Sequence, residues 1–144
     1  MASESTIQSN IIDYINALPQ GRAENESGNA QQSGRADINA CICGQQFKIE
    51  VKTDETAYGK KGASKKQLLY LEKWARAGAV SCVVYSVEDV AWVIQKCLHH
   101  RIGDYMWCET PDRYILKAVR NDLKLSGRGK WYDVQNKRWV DISY

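Results

Sequence analysis

The amino-acid sequence predicts an α/β domain built around a mixed sheet. Three observations lead to this fold class: an amphipathic helical pattern near the N-terminus, two alternating strand patterns in succession, and a nearly all-apolar strand between two further helical patterns. The predicted elements follow in the order helix, strand, strand, helix, strand, helix. Alternation of this kind is typical of a sheet whose faces are covered by helices.

The first helix is predicted over residues 4–18, where apolar residues recur at spacings of three and four. These residues are Ile7, Ile11, Tyr14, Ile15 and Leu18. Ser3 is a candidate N-cap, and Pro19-Gln20-Gly21 predicts the end of the helix. Residues 20–36 are polar and rich in Gly, Asn, Gln and Ser, so we expect a mobile loop there.

Two strands are predicted over residues 37–42 and 47–52, with the turn between them at Cys43-Gly44-Gln45-Gln46. Each has one apolar face, formed by Ile38, Ala40, Ile42, Phe47, Ile49 and Val51. Lys48, Glu50 and Lys52 lie on the other face of the second strand. A hairpin that turns about Gly44-Gln45 would place Asp37 opposite Lys52 and diagonal to Glu50.

The second half of the core begins with a helix start at Ser64, where Gln67 completes a capping-box pattern. This helix is predicted to reach Ala77, and Gly78 stops it. Residues 80–85 are nearly all apolar and predict a strand that is buried on both faces. Ser86 is expected to cap a further helix whose apolar stripe extends to Leu98.

The tail differs in pattern from the residues before it. A short strand is predicted at Tyr105-Met106-Trp107, a helix from Thr110-Pro111 to Ser126-Gly127, and a hairpin over residues 131–142. We therefore divide the chain into a core, residues 1–98, and a C-terminal α+β extension, residues 99–144, that packs on the core.

Composition limits the classes of protein that the chain can belong to. Of its 144 residues, 44% are hydrophobic and 26% are charged, which is ordinary globular usage. No apolar run approaches the ~20 residues of a membrane span, and the first residues lack a secretory signal pattern. Five scattered cysteines predict a reduced intracellular protein rather than a disulfide scaffold.

The charge is unevenly distributed along the chain. Residues 1–59 carry four Lys/Arg against eight Asp/Glu, whereas residues 60–76 carry six against one. An acidic segment followed by a basic one fits a carboxylate site beside a surface that binds a polyanion. A solvated helix face is the alternative interpretation. The candidate phosphate contacts are Lys60, Lys61, Lys65 and Lys66, because they precede and begin the helix beside the predicted site.

Asp37, Glu50 and Lys52 are the residues that predict chemistry. Two carboxylates that converge on one point either share a proton or hold a cation. Oxygen ligands select a hard divalent ion such as Mg2+ or Mn2+, and a lysine beside it can offset charge on a phosphoryl transition state. The residues thus fit hydrolysis of phosphodiesters, although an exposed strand face with a cross-strand salt bridge would show the same pattern.

The surrounding motifs resemble the PD-(D/E)xK nuclease superfamily, and its VRR-NUC branch in particular. The matching segments are Glu4-Ser5-Thr6-Ile7-Gln8, Gly34-Arg35-Ala36-Asp37, Glu50-Val51-Lys52, Ser64 to Gln67, Ala77-Gly78, and Ser86 to Asp89. They occur in the order and spacing of that branch over about residues 3–98. One position departs from the pattern, since Ala36 stands where the branch has proline.

This resemblance implies a restriction-endonuclease-like fold and assigns roles to single residues. Asp37 and Glu50 would be metal ligands with the Val51 carbonyl, and Glu4 would bind metal directly or through water. Lys52 would be the catalytic lysine, and Gln67 would reach the site from its helix. Gln67 has a second interpretation, in which it only completes the capping box.

The resemblance also implies an activity and partners. The expected protein is a Mg2+- or Mn2+-dependent DNA endonuclease that cuts branched or Holliday-type junctions as a homodimer, because two strands need two active sites. It is similar to small stand-alone versions carried by bacteriophages, so we expect it in the cytoplasm of a bacterial or phage-infected cell. The alternatives are a catalytically silent nucleic-acid-binding module, an exonuclease and an RNA-directed nuclease.

Two further patterns favour ordinary structural roles. Cys41 and Cys43, with His99-His100, lack the spacing of a zinc site, so both thiols are expected to be buried or half-buried. Trp131 and Trp139 lie among basic residues, which is compatible with stacking on nucleobases. Packing within the C-terminal hairpin is the favoured alternative.

Overall fold

The computed structural model describes residues 3–26, 35–53, 62–101 and 129–142, with side chains in the third range as far as Cys97. Its elements are α1 (Glu4–Asn16), β1 (Gly21–Asn25), β2 (Ile38–Ile42), β3 (Gln45–Val51), α2 (Lys65–Arg76), β4 (Val80–Val84), α3 (Val87–Arg101), β5 (Gly129–Asp133) and β6 (Arg138–Asp141). The α/β class predicted from the sequence is confirmed. No helix within these ranges has the length and apolar character to cross a membrane.

The described strands form one six-stranded sheet in the order β1-β2-β3-β4-β5-β6. β3 and β4 pair in parallel, and every other neighbouring pair is antiparallel. The sheet is therefore mixed, as predicted. Its parallel pair is connected by α2, which is the usual way to join two parallel neighbours.

Helices cover both faces of the sheet. On one face, α1 and α3 bury the apolar sides of the strands around Phe47, Ile49 and Ile94. On the other face, Leu71 of α2 packs against Val83 of β4, and the Ser81 hydroxyl donates to the Leu71 carbonyl at 2.6 Å. The face of β3 that carries Lys48, Glu50 and Lys52 is thus buried as well, because α2 lies over it.

The predicted helix starts are confirmed by their caps. The Ser3 hydroxyl accepts from the Thr6 amide, and the Ser64 hydroxyl accepts from the Gln67 amide while the Gln67 side chain accepts from the Ser64 amide. The Ser86 hydroxyl likewise accepts from the Asp89 amide at 3.2 Å. Each cap supplies a partner to a backbone N–H that the first helical turn leaves unpaired.

The prediction of a loop over residues 20–36 is wrong at its start, because Gly21–Asn25 forms β1. Only Ala23 of this strand is buried, so the sequence lacks an alternating apolar pattern there. The Asn16 side chain fixes the strand to α1 by accepting from the Ala23 amide at 2.8 Å and donating to its carbonyl at 3.2 Å. Residues 27–34 lie outside the described residues.

The C-terminal hairpin is confirmed as β5 and β6, and it extends the sheet through pairing of β5 with β4. Trp131 packs edge-on against Trp92 of α3, and Trp139 against Tyr132, with ring centroids 5.9 and 5.3 Å apart. Both tryptophans therefore have the packing role that was favoured. The strand predicted at 105–107 and the helix predicted from Thr110 lie outside the described residues.

Candidate active site

The hairpin of β2 and β3 brings Asp37 directly opposite Glu50. Ile42 pairs with Gln45 and Ile38 with Ile49, so the tight turn is at Cys43-Gly44. The predicted pairing of Asp37 with Lys52 is wrong by two residues, because the turn is centred one residue earlier than expected. A two-residue shift preserves which face each side chain occupies, and the two carboxyls still share one face.

Asp37 is fixed to the end of β3 by a backbone contact. Its Oδ2 accepts a hydrogen bond from the Val51 amide at 2.8 Å, and its own carbonyl accepts from the Glu26 amide at 2.9 Å. The carboxyl is half-buried. Asp37 thus lies beside the backbone that joins Glu50 to Lys52.

Glu50 is fully buried, and neither of its carboxylate oxygens has a hydrogen-bond donor in the described part of the chain. Its neighbour across the parallel pair is Val83, which belongs to the apolar layer under α2. The nearby cation is Lys52, whose Nζ lies 3.9 Å from Oε2. A buried carboxylate with unpaired oxygens is costly, so either a proton or a cation would stabilise it.

The surroundings raise the pKa of Glu50 to about 10. Burial is the largest cause, followed by a hydrogen bond with Asp37 that one shared proton would make, and by repulsion from the Asp37 charge. Lys52 lowers the pKa and Glu4 raises it slightly. The pair of carboxyls therefore retains a proton at neutral pH unless a cation replaces it.

Glu4 approaches the same pair from the first turn of α1. Burial raises its pKa, the charge of Lys52 lowers it, and the charge of Asp37 raises it. The charges of Lys52 and Asp37 thus both act on Glu4, and its role as a metal ligand stays a prediction. In the described ranges, however, no three Asp, Glu, His or Cys side chains are arranged to hold a metal ion by themselves.

The donor set fits a hard divalent cation that keeps part of its water shell. Two carboxylates and the Val51 carbonyl are oxygen ligands, which suit Mg2+ or Mn2+, and Mg2+ usually retains several waters. Glu4 would then act through such a water. The unpaired Glu50 oxygens are the observation that supports this fit.

The remaining predicted site residues have different surroundings. Gln67 Oε1 accepts from the Ser64 amide at 2.9 Å, so the structure places its side chain in the capping box. Lys65 and Lys66 are exposed in the first turn of α2. Lys60 and Lys61 lie outside the described residues. A role for Gln67 in catalysis stays a prediction, as do the phosphate contacts of the four lysines.

A buried ion-pair cluster beside the site was not predicted. Lys48 is 2% exposed, and its Nζ donates to both oxygens of Glu26, at 3.0 and 3.1 Å. Arg35 also donates to Glu26, at 2.6 Å. The available signal was the position of Lys48 on the Glu50 face of β3, but no sequence pattern shows that α2 covers that face.

Cys41 of β2 and Cys43 of the following turn differ in their exposure. Cys43 is half-buried, as expected. Cys41 is exposed, which contradicts the prediction for that thiol, because β1 and β2 leave this face of the hairpin uncovered.

A mixed sheet with helices on both faces and carboxyls at the end of a central hairpin is a restriction-endonuclease-like fold. A solved VRR_NUC domain protein shares it with a TM-score of 0.51 and 20% identity, covering 67% of this chain and 88% of that one. The predicted likeness to VRR-NUC domains is thus confirmed at the level of the fold.

Two further solved structures are similar. A second VRR_NUC domain has a TM-score of 0.48 and 24% identity, covering 68% of this chain and 95% of its own. The third is Hjc, a Holliday junction resolvase of the archaeal hyperthermophile Archaeoglobus fulgidus. It has a TM-score of 0.48 and 14% identity, and the match covers 95% of this chain and 87% of that one. No protein-family model and no curated protein sequence matches the chain.

Proposed function

We propose that this protein is a divalent-metal-dependent DNA endonuclease that hydrolyses phosphodiester bonds in branched DNA. One observation carries the proposal: buried Glu50, with both oxygens unpaired, lies opposite Asp37 with the Lys52 ammonium 3.9 Å away. An ordinary strand surface would leave these groups in water, where the carboxylates need no further partner. Here burial removes the carboxylates from water, and the Lys52 ammonium at 3.9 Å does not compensate for the lost solvation on its own.

Asp37, Glu50 and the Val51 carbonyl would hold Mg2+ or Mn2+, which when bound polarises a phosphate oxygen and lowers the pKa of a bound water. The hydrogen bond from the Val51 amide orients Asp37 toward this position. Lys52 would hold the attacking water and offset the negative charge that develops on the phosphoryl oxygens. Glu4 would orient a second water from the start of α1.

The DNA backbone would approach from the N-terminal end of α2. Lys65 and Lys66 are exposed there, and Lys60 and Lys61 precede them in the sequence. Phosphate contacts of this kind position a strand without reading its bases. They fit an enzyme that recognises the shape of a junction rather than a base sequence.

Plasmid nicking tests the catalytic assignment. Supercoiled plasmid with Mn2+ should be nicked by the wild type, whereas Lys52→Ala should lose at least about a hundredfold of the rate, the typical contribution of one charge-stabilising group. Lys96→Ala is the matched control, because Lys96 is an exposed lysine of α3 on the opposite face of the sheet.

Equal nicking by wild type and Lys52→Ala would refute the assignment. DNA binding without any nicking would instead identify a catalytically silent binding module. Parallel reactions on linear duplex, four-way junction and RNA of matched length decide the substrate. Preference for the junction supports the proposal, and preference for RNA or for strand ends contradicts it.

A further inference from the structure

One large apolar side chain beside the site is both exposed and rigidly supported. In the described part of the chain, the exposed large hydrophobic residues are Leu69, at 49%, and Trp74, at 38%, and both belong to α2. Trp74 differs from Leu69 because one face of its indole is fixed from below. The residues around the exposed part of the indole therefore determine which kind of ligand it can bind.

The indole of Trp74 is supported by Lys48, which is itself held by Glu26. Lys48 Nζ lies 4.0 Å from the centroid of the Trp74 ring, a cation–π contact, and 5.9 Å from that of Tyr70. Glu26 holds this ammonium with both carboxylate oxygens. A ring that is fixed before binding loses little conformational entropy when a ligand stacks on it.

Trp74 lies next to the candidate active site. Lys48 and Glu50 are two residues apart on β3, so their side chains leave the same face about 6–7 Å from each other. Trp74 lies over the first position and the unpaired carboxylate occupies the second. A strand whose phosphate reaches Glu50 and Lys52 would therefore have a neighbouring nucleotide within reach of the indole.

The charge around the ring selects a polyanion. Four exposed cations occupy the same helix before and after the ring, namely Lys65, Lys66, Lys73 and Arg76. One acid of this helix, Glu72, pairs with Arg76 at 3.4 Å, so positive charge is still in excess. An aromatic ring among cations is the arrangement that binds single-stranded nucleic acid, with bases stacked on the ring and phosphates on the cations. An apolar partner surface would bury these charges at a cost.

We propose that Trp74 is a stacking platform for an unpaired base of the strand bound at the site, an inference that rests on the proposed nuclease function. The platform favours DNA in which a base next to the cut is free to leave its stack. A junction, a flap or a gap offers such a base, whereas in a continuous duplex every base would first have to be unstacked. Trp74 would thus contribute to structure specificity without reading sequence.

Binding in EDTA tests this independently of cleavage. Fluorescence anisotropy would measure binding to a duplex with a three-nucleotide gap in one strand. The comparison DNA has the same gap, but the three unpaired nucleotides opposite it are abasic. Removing one stacked base should weaken binding about tenfold or more. Trp74→Ala should bind the gapped DNA about as weakly as wild type binds the abasic DNA, and the two losses should not add.

Two variants control the result. Trp74→Phe keeps a ring and should retain most of the preference for unpaired bases, which separates stacking from damage to the fold. Leu69→Ala alters an exposed apolar residue of the same helix and should bind gapped DNA as wild type does.

The inference is overturned if wild type shows no preference for gapped over abasic DNA, or if Trp74→Ala binds both as wild type does. A change of oligomeric state in both Trp74→Ala and Leu69→Ala, without loss of DNA affinity, would assign this face to a second copy of the chain. Nicking by Lys52→Ala at the wild-type rate would refute the nuclease mechanism alone, because stacking is measured without metal.

Discussion

At the scale of single residues, Glu50 is a carboxyl whose burial is costly unless a proton or a cation accompanies it. Its carboxyl lies across from Val83, in the apolar layer under α2. Among the described residues, the charged groups that act on it are the Lys52 ammonium at 3.9 Å and the acids Asp37 and Glu4. Burial and Asp37 together raise its pKa far above the ordinary range. Such displacement is typical of functional sites, although structural ion pairs also produce it.

This shift predicts how stability depends on pH in the metal-free protein. The pKa of Glu50 rises from 4.5 to about 10 on folding, so between these values the folded state retains a proton that the unfolded chain releases. The free energy of unfolding should therefore fall as pH rises through this window, by at most about 1.4 kcal/mol per unit from this group. Urea denaturation in EDTA at pH 5, 6.5 and 8 measures the slope.

Glu50→Gln cannot release the proton and should lose most of this dependence, whereas exposed Glu24→Gln should keep it. Millimolar Mn2+ should stabilise the wild type more at pH 8 than at pH 5, because the ion competes with the proton. Identical slopes for wild type and Glu50→Gln would show that the carboxyl titrates normally.

At the scale of elements, the hairpin shows what a pattern can and cannot fix. The alternation of Ile38, Ala40 and Ile42 with polar residues correctly predicted the buried face of β2. It could not fix the turn, because Cys43 adopts a φ of +50° beside Gly44 at +80° and so closes the hairpin one residue early. Only an odd shift would have separated Asp37 from Glu50, which is why the site prediction tolerates this error.

The junction of β4 and β5 leads to a prediction about Gly129. A Cβ at Gly129 would lie 2.5 Å from the Val83 carbonyl oxygen and 2.8 Å from Ile142 Cδ1, and its φ is +118°. Gly78, at +112°, would meet nothing within 4 Å. Gly78→Ala should therefore cost about 1–2 kcal/mol from backbone strain alone, and Gly129→Ala roughly twice as much through added overpacking.

Thermal or urea unfolding of the two variants measures the added cost of the collision, since the two glycines have similar φ values. The difference matters because Gly129 lies where the C-terminal hairpin joins the rest of the sheet. Equal losses in the two variants would mean that β5 can move away from β4 without cost.

At the scale of the whole molecule, the sequence predicted the layers better than the edges. The apolar strand at Val80–Val84 and the capped helices are strong local signals, and they fixed the fold class. β1 was not predicted because an edge strand with one buried residue has almost no apolar pattern. The contact between Lys48 and Trp74 was not predicted for another reason. It depends on how α2 lies over β3, and this is determined by packing between the helix and the sheet.

The homodimer that the sequence resemblance implies gives the last prediction, which concerns how two active sites would share one substrate. Symmetric cutting of a junction requires two sites related by a two-fold axis. Wild type should therefore convert a cruciform plasmid largely to linear DNA. If wild type and Lys52→Ala are co-expressed in equal amounts, so that subunits assemble at random, about a quarter of the dimers would carry two intact sites and about half would carry one.

The mixture should thus accumulate nicked circles at the expense of linear product, and agarose gels of a time course measure this ratio. Sedimentation velocity at the same concentrations checks that the wild type and the variant are both dimers. A ratio of linear to nicked DNA that is unchanged by Lys52→Ala would show that each subunit cuts independently. In that case the two strands would be cut by separate encounters, and junction specificity would have to reside in the surface of a single chain.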